Sequence, residues 1–101
     1  MNEVEFKNWL IKNGTKSKVA SDTVSRLKRV EREIKNCDID EQYRSDRCAY
    51  LLKLFLNMGV NKEMEEYPNA KLPIGKYYMS TYRLALKQYI QFCEETISNK
   101  R

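Results

Sequence analysis

The sequence predicts an all-α fold, a compact bundle of four main helices with a short additional one. Two observations predict it. Apolar residues recur with the 3.6-residue spacing of amphipathic helices near residues 3–13, 18–35 and 80–97, and a fourth apolar-rich element fills 41–58. Helix-starting and helix-stopping residues fall where those segments need them: Ser17, Asp38 and Ser80 as N-caps, Gly14 and Gly59 as stops. At 101 residues, 42% hydrophobic and 33% charged, the chain is one soluble globular domain. A domain of that size buries roughly two thirds of its unfolded surface.

The first element, Glu3 to Asn13, has acids in its first turn, where the helix dipole favours them. Phe6, Trp9 and Leu10 share one face and are assigned to the core. The turn Thr15-Lys16-Ser17-Lys18 leads into the second element, with Ser17 as its cap. There Ala20, Thr23, Val24, Leu27, Val30 and Ile34 fall within about 60° of one direction on a helical wheel. Asp38 followed by Glu41 fits a capping box for the third element, which Ser45-Asp46 is able to divide in two. Its second half, Cys48 to Met58, is apolar nearly all round and reads as the central core helix. Asn61 caps a short helix over 62–67, ended by Pro68, and residues 69–79 form a true loop broken by Pro73 and Gly75. Ser80 caps the last helix, whose apolar stripe is Tyr82, Leu86, Tyr89, Ile90, Cys93 and Ile97.

Charge is unevenly distributed. Lys16 to Lys35 holds seven Lys/Arg against Asp22, Glu31 and Glu33, a net of +4 in a chain whose total is +5. On the helix, Lys18, Ser21, Ser25, Lys28, Arg29, Arg32 and Lys35 occupy one flank spread over about 120°, while Asp22, Arg26 and Glu33 take the other, with Asp22 and Arg26 spaced as an i,i+4 pair. Two readings fit that flank. One is the solvated face of a soluble helix. The other is a phosphate-facing surface, since Lys and Arg that displace condensed counterions give proteins their affinity for duplex DNA. Lys16 and Lys18 also flank a helix N-terminus, whose free N–H groups favour an anion. Ser80, Arg83, Lys87 and Gln91 make a smaller polar face on the last helix.

The composition argues against several classes of function. There is no histidine, which removes the commonest general base and metal ligand. Three glycines are too few for a phosphate-cradling Gly-rich loop. Cys37, Cys48 and Cys93 are odd in number and not spaced for zinc, and read as reduced, buried thiols. No run approaches the ~20 apolar residues of a membrane span, and the N-terminus lacks an export signal. The expectation is a cytoplasmic, non-catalytic protein without cofactor, metal or small-molecule substrate.

Several of these segments resemble the N-terminal core-binding domain of tyrosine recombinases (phage integrases). Phe6-Lys7-Asn8-Trp9-Leu10, then Lys16, Lys18 and Ser25-Arg26-Leu27-Lys28, follow the opening pattern of that domain, and STYRLALKQYIQF from Ser80 to Phe92 is similar to its last helix. The resemblance covers most of the chain. It implies a SAM-like helical bundle that clamps one side of duplex DNA, with contacts from Lys16, Lys18, Ser21, Ser25, Lys28, Arg29 and Arg32, and from Ser80, Arg83 and Lys87. The catalytic half of that family, with its Arg, His-x-x-Arg and nucleophilic Tyr, has no counterpart here. The acidic turn from Asp38 to Glu41 and the long 60–79 connection also depart from the pattern. The chain is then either the N-terminal piece of a longer recombinase or nuclease, or a module that stands alone. The competing expectation is a small phage or mobile-element protein that binds and inhibits a nucleic-acid enzyme, through Leu72, Ile74, Tyr77, Tyr78 and Met79.

Overall fold

The computed structural model describes residues 1–99, with side chains described through Thr96. Every regular element among them is helical: α1 (Glu3–Lys12), α2 (Ser17–Glu33), α3 (Ile39–Asp46), α4 (Ala49–Leu54) and α5 (Met79–Asn99), with 3₁₀ turns at Leu56–Gly59 and Met64–Glu66.

The helix α2 is organised by its stripe. Ala20, Thr23, Val24, Leu27, Val30 and, just past its end, Ile34 are all buried. Thr23 is tolerated there because its hydroxyl donates to the Val19 carbonyl one turn back, at 2.9 Å. Onto the stripe pack Phe6 and Leu10 of α1, and Met79, Tyr82, Ala85, Leu86, Tyr89 and Phe92 of α5, forming one core with Leu51, Leu54 and Phe55. The rings of Phe6 and Tyr89 meet edge to face with centroids 4.9 Å apart. The Lys28–Glu3 pair, at 3.0 Å, sets α1 antiparallel to α2. Hydrogen bonds from Asn2 to Tyr89 and from Trp9 to Glu95 run α1 alongside α5.

Several expectations need correction. Ser17 and Ser80 are not caps. Lys16, extended at φ −63° and ψ 145°, precedes α2 without a side-chain cap, and α5 begins at Met79, so Ser80 lies inside it with its hydroxyl bound to the Tyr77 carbonyl at 3.0 Å. Asp38 does cap, its carboxylate accepting the N–H groups of Asp40 and Glu41 at 3.0 and 3.4 Å. Trp9, Ile90 and Cys93 are half-buried, and the side chain of Ile97 lies outside the described residues.

The 41–58 element is not one helix. Arg47 and Cys48 turn left-handed (φ 56° and 65°), and the N–H of Cys48 closes back to the Gln42 carbonyl at 3.2 Å, a left-handed helix ending without glycine. Asp46 accepts the Tyr50 N–H at 3.0 Å and restarts the chain as α4, at the position where Ser45-Asp46 allowed a division. After only six residues α4 ends, and Asn57 and Met58 are again left-handed (φ 53° and 56°). Leu56 and Met58, assigned to the core by their composition, are 48% and 42% exposed.

What ends α4 is Asn61. Its amide nitrogen donates to the carbonyls of Lys53, Leu54 and Leu56 (3.2, 3.0 and 2.8 Å), groups that a helix C-terminus leaves unpaired. Its carbonyl oxygen accepts the Met64 N–H at 2.9 Å and opens the next turn, which contracts from the expected 62–67 to Met64–Glu66. Gly59, at φ 82°, follows the break in a conformation that disfavours a side chain, and a Cβ there would meet Met79 at 3.3 Å.

Candidate nucleic-acid interface

Burial of the stripe fixes which side of α2 meets solvent. Lys16, Lys18, Ser25, Arg32 and Lys35 are exposed and Ser21 is half-buried. From Lys18 to Arg32 the helix rises about 21 Å, a length of duplex axis that carries about a dozen charges. The edges of the flank are engaged within the fold. Lys28, on the α1 side, reaches Glu3 across 3.0 Å. Arg29, on the other side, is half-buried and donates to the Tyr82 hydroxyl of α5 at 3.2 Å. Among the described residues no ion pair joins Asp22 to Arg26.

Two of the three acids in this segment serve the backbone. Glu31 accepts the Ile39 N–H at 3.0 Å and Glu33 accepts the Lys71 N–H at 2.8 Å. That Lys71 bond, with Arg32 adding at 3.3 Å, holds the Glu33 carboxyl below its ordinary pKa. Carboxylates that would oppose an anionic ligand are thereby turned inward, toward N–H groups of other segments, and the cations in the middle of the flank face outward.

On α5, Ser80 and Lys87 are exposed and Arg83 is half-buried, with its Nε buried and without a hydrogen-bond partner. The Arg29–Tyr82 bond brings one edge of the α2 flank to the residue beside Arg83, so the two candidate sets meet at the first turn of α5. Lys16 and Lys18 lie at the far end of α2 from that junction.

One feature was missed in the sequence, although composition alone carries it. From Tyr67 to Cys93 there are four cations, Lys71, Lys76, Arg83 and Lys87, and no carboxylate. In this span Tyr77 is 83% exposed, and its ring and that of Tyr78 stand nearly perpendicular with centroids 5.7 Å apart. Ile74 and Tyr78 are exposed as well and Leu72 is half-buried, but Met79, expected among the loop anchors, is fully buried against the core. Ile74 lies next to Gly59, and Gly75 donates to the Met58 carbonyl at 2.7 Å and lies against Val60, so Val60 and Ile74, both exposed, line one hollow.

The thiols are poorly suited to chemistry. Burial pushes Cys37 and Cys48 up to about 12 and Cys93 up to about 11, so all three are protonated near neutral pH and weak as nucleophiles or metal ligands. Tyr89, raised well above its ordinary value by burial and then by the bond it donates to Asp40 at 2.6 Å, ties α5 to α3. Among the described residues no group of three or more His, Cys, Asp or Glu could hold a metal ion, and no helix is long and apolar enough to cross a membrane. Comparison with protein families, with curated proteins and with solved structures returns no match.

Proposed function

We propose that this chain is a non-catalytic DNA-binding module that grips the duplex backbone through the solvent flank of α2. The observation that carries the reading is the division of α2. Its whole apolar stripe is buried, two of its carboxylates are spent on backbone N–H groups, and Lys18 and Arg32 remain exposed on it, with Lys35, expected inside the helix, exposed just past its end. Lys16 and the uncapped start of α2 add free N–H groups beside two cations, a setting that favours phosphate. Ser21 and Ser25 supply hydroxyls between the cations, while Ser80, Arg83 and Lys87 extend the contact onto α5. The resemblance to recombinase core-binding domains points the same way, and on it the chain acts as the clamp of a larger enzyme or as a free-standing binder.

A titration of labelled duplexes followed by fluorescence anisotropy tests this. Unrelated duplexes are expected to bind with comparable strength and to weaken steeply with salt. Lys18→Ala with Lys35→Ala, two exposed cations outside the ion pairs of the described residues, should lower the log–log salt slope by about 2, since each phosphate contact contributes about 0.9. Absence of any salt-dependent binding at micromolar protein would overturn the reading.

A second reading draws on the exposed Val60 and Ile74 that line one hollow: a protein contact that inhibits a nucleic-acid enzyme. Exposed apolar residues held side by side are the usual material of interface hot spots. On that reading one protein partner binds tightly, survives Lys18→Ala with Lys35→Ala, and is lost on Val60→Asp.

A further inference from the structure

We infer that the Tyr77–Tyr78 pair is a stacking site for unpaired nucleic-acid bases, placed next to the duplex-binding flank; this rests on the DNA reading above and adds a second kind of substrate to it. Stacking on a base requires an open ring face and nearby cations to hold the sugar–phosphate chain. Tyr77 has the first, at 83% exposure, and its perpendicular contact with Tyr78 leaves at least one of its two faces uncovered by that neighbour. The second is supplied by position. Lys76 precedes the pair directly, and the amide and hydroxyl of Ser80 both reach back to the Tyr77 carbonyl, at 3.3 and 3.0 Å. The backbone of Tyr77 is thereby fixed just before the helix that carries Arg83 and Lys87.

The sign of the charge selects the partner. An exposed tyrosine pair serves a protein contact equally well by its apolar area. The 27 residues from Tyr67 to Cys93, however, contain four cations and no carboxylate. A field of one sign favours a polyanion, and a chain of phosphates with splayed bases satisfies both the rings and the cations. A paired duplex cannot use the rings, because its bases are already stacked. The Arg29–Tyr82 bond joins this end of α5 to the α2 flank, so a DNA held along α2 has any frayed or single-stranded end near the tyrosines.

The test compares a blunt duplex with the same duplex carrying a single-stranded oligo-dT tail, with wild type, Tyr77→Ala and Tyr77→Trp measured by anisotropy at one salt concentration. Wild type should bind the tailed DNA more tightly, and Tyr77→Ala should lose about 5- to 150-fold on it, the range for one stacked base, while blunt-duplex affinity is unchanged. Tyr77→Trp should restore the tailed affinity, since the indole stacks at least as well. If blunt duplex binds and the tail adds nothing, or if Tyr77→Ala weakens both DNAs alike, the stacking site is wrong and the duplex reading stands. If neither DNA binds, both fail. A protein partner lost with Tyr77→Ala, without any tail effect, assigns the rings to a protein contact and overturns the proposal.

Discussion

The two basic regions of this molecule handle their charge in opposite ways. Along α2, cations and anions are interleaved, and much of the charge is answered inside the fold: Lys28 by Glu3, Arg32 by Glu33, Glu33 also by the Lys71 amide, Glu31 by the Ile39 amide. From Tyr67 to Cys93 the cations have no carboxylate of their own segment beside them, and Glu33 reaches in only for the Lys71 backbone. The lesson is that a count of Lys and Arg is a poor measure of a binding face. The segment with the larger excess keeps a smaller share of its charge available. The less conspicuous one lies open and carries the most exposed aromatic ring of the chain's core-free surface, Tyr77.

The largest effects should come from beneath the two faces, where they share a core. Leu27 under the α2 flank and Leu86 under the start of α5 are both fully buried. Either change to alanine should cost about 2–5 kcal/mol, read as a shift in the chemical-denaturation midpoint. At denaturant concentrations where the variants remain folded, their affinity for duplex should be unaltered. A variant that loses affinity while still folded would mean that the faces are not rigid platforms on a common core.

How much of this was legible is best seen in α2 and in the 39–61 segment. The six stripe positions of α2 could be read because a one-sided helix repeats its apolar residues with a single period, and all six are buried. The 48–58 stretch has no such bias, so its apolar content could not reveal where the helix stops. Its breaks are made by left-handed Arg47, Cys48, Asn57 and Met58, of which only asparagine is a residue type that readily adopts that conformation. Serine at the start of a helix was an equally weak guide: Lys16, not Ser17, holds the cap position before α2, and α5 already begins at Met79, ahead of Ser80. For the candidate site, the orientation of the flank was legible, but the partners of Lys28 and Arg29 were not. Glu3 and Tyr82 are distant in sequence, and no local pattern reports a contact between helices.

A smaller effect should separate the two regions by their anchoring. The acid-free segment joins the body partly through Gly75, bound to the Met58 carbonyl, and that backbone is shaped by the Asn61 side chain. Removing it in Asn61→Ala should cost about 1–3 kcal/mol, since a helix end and a turn start lose their partners together. Hydrogen exchange should quicken at Met64 and over 74–79, while the amides of α1 and α2 keep their protection. Uniform quickening across the chain would show instead that the segment is not separately anchored.

The smallest effect tests the internal answering of charge itself. Lys28 and Glu3 are both about half exposed, so their attraction is screened by solvent, and a double-mutant cycle with alanine should give a coupling of about 0.2–1 kcal/mol. Its value lies in what it predicts for DNA. A cation already paired must leave its partner to meet a phosphate, so Lys28→Ala should reduce the salt slope by less than the ~0.9 of a free phosphate contact. Glu3→Ala releases Lys28, and should therefore raise both the affinity and the slope. Lys35, exposed and outside the ion pairs of the described residues, should show the full reduction when changed to alanine. If Lys28→Ala and Lys35→Ala lower the slope equally and Glu3→Ala changes nothing, the pair does not withhold Lys28 from DNA. The contrast between an internally answered face and an open one would then rest on the acid-free segment alone.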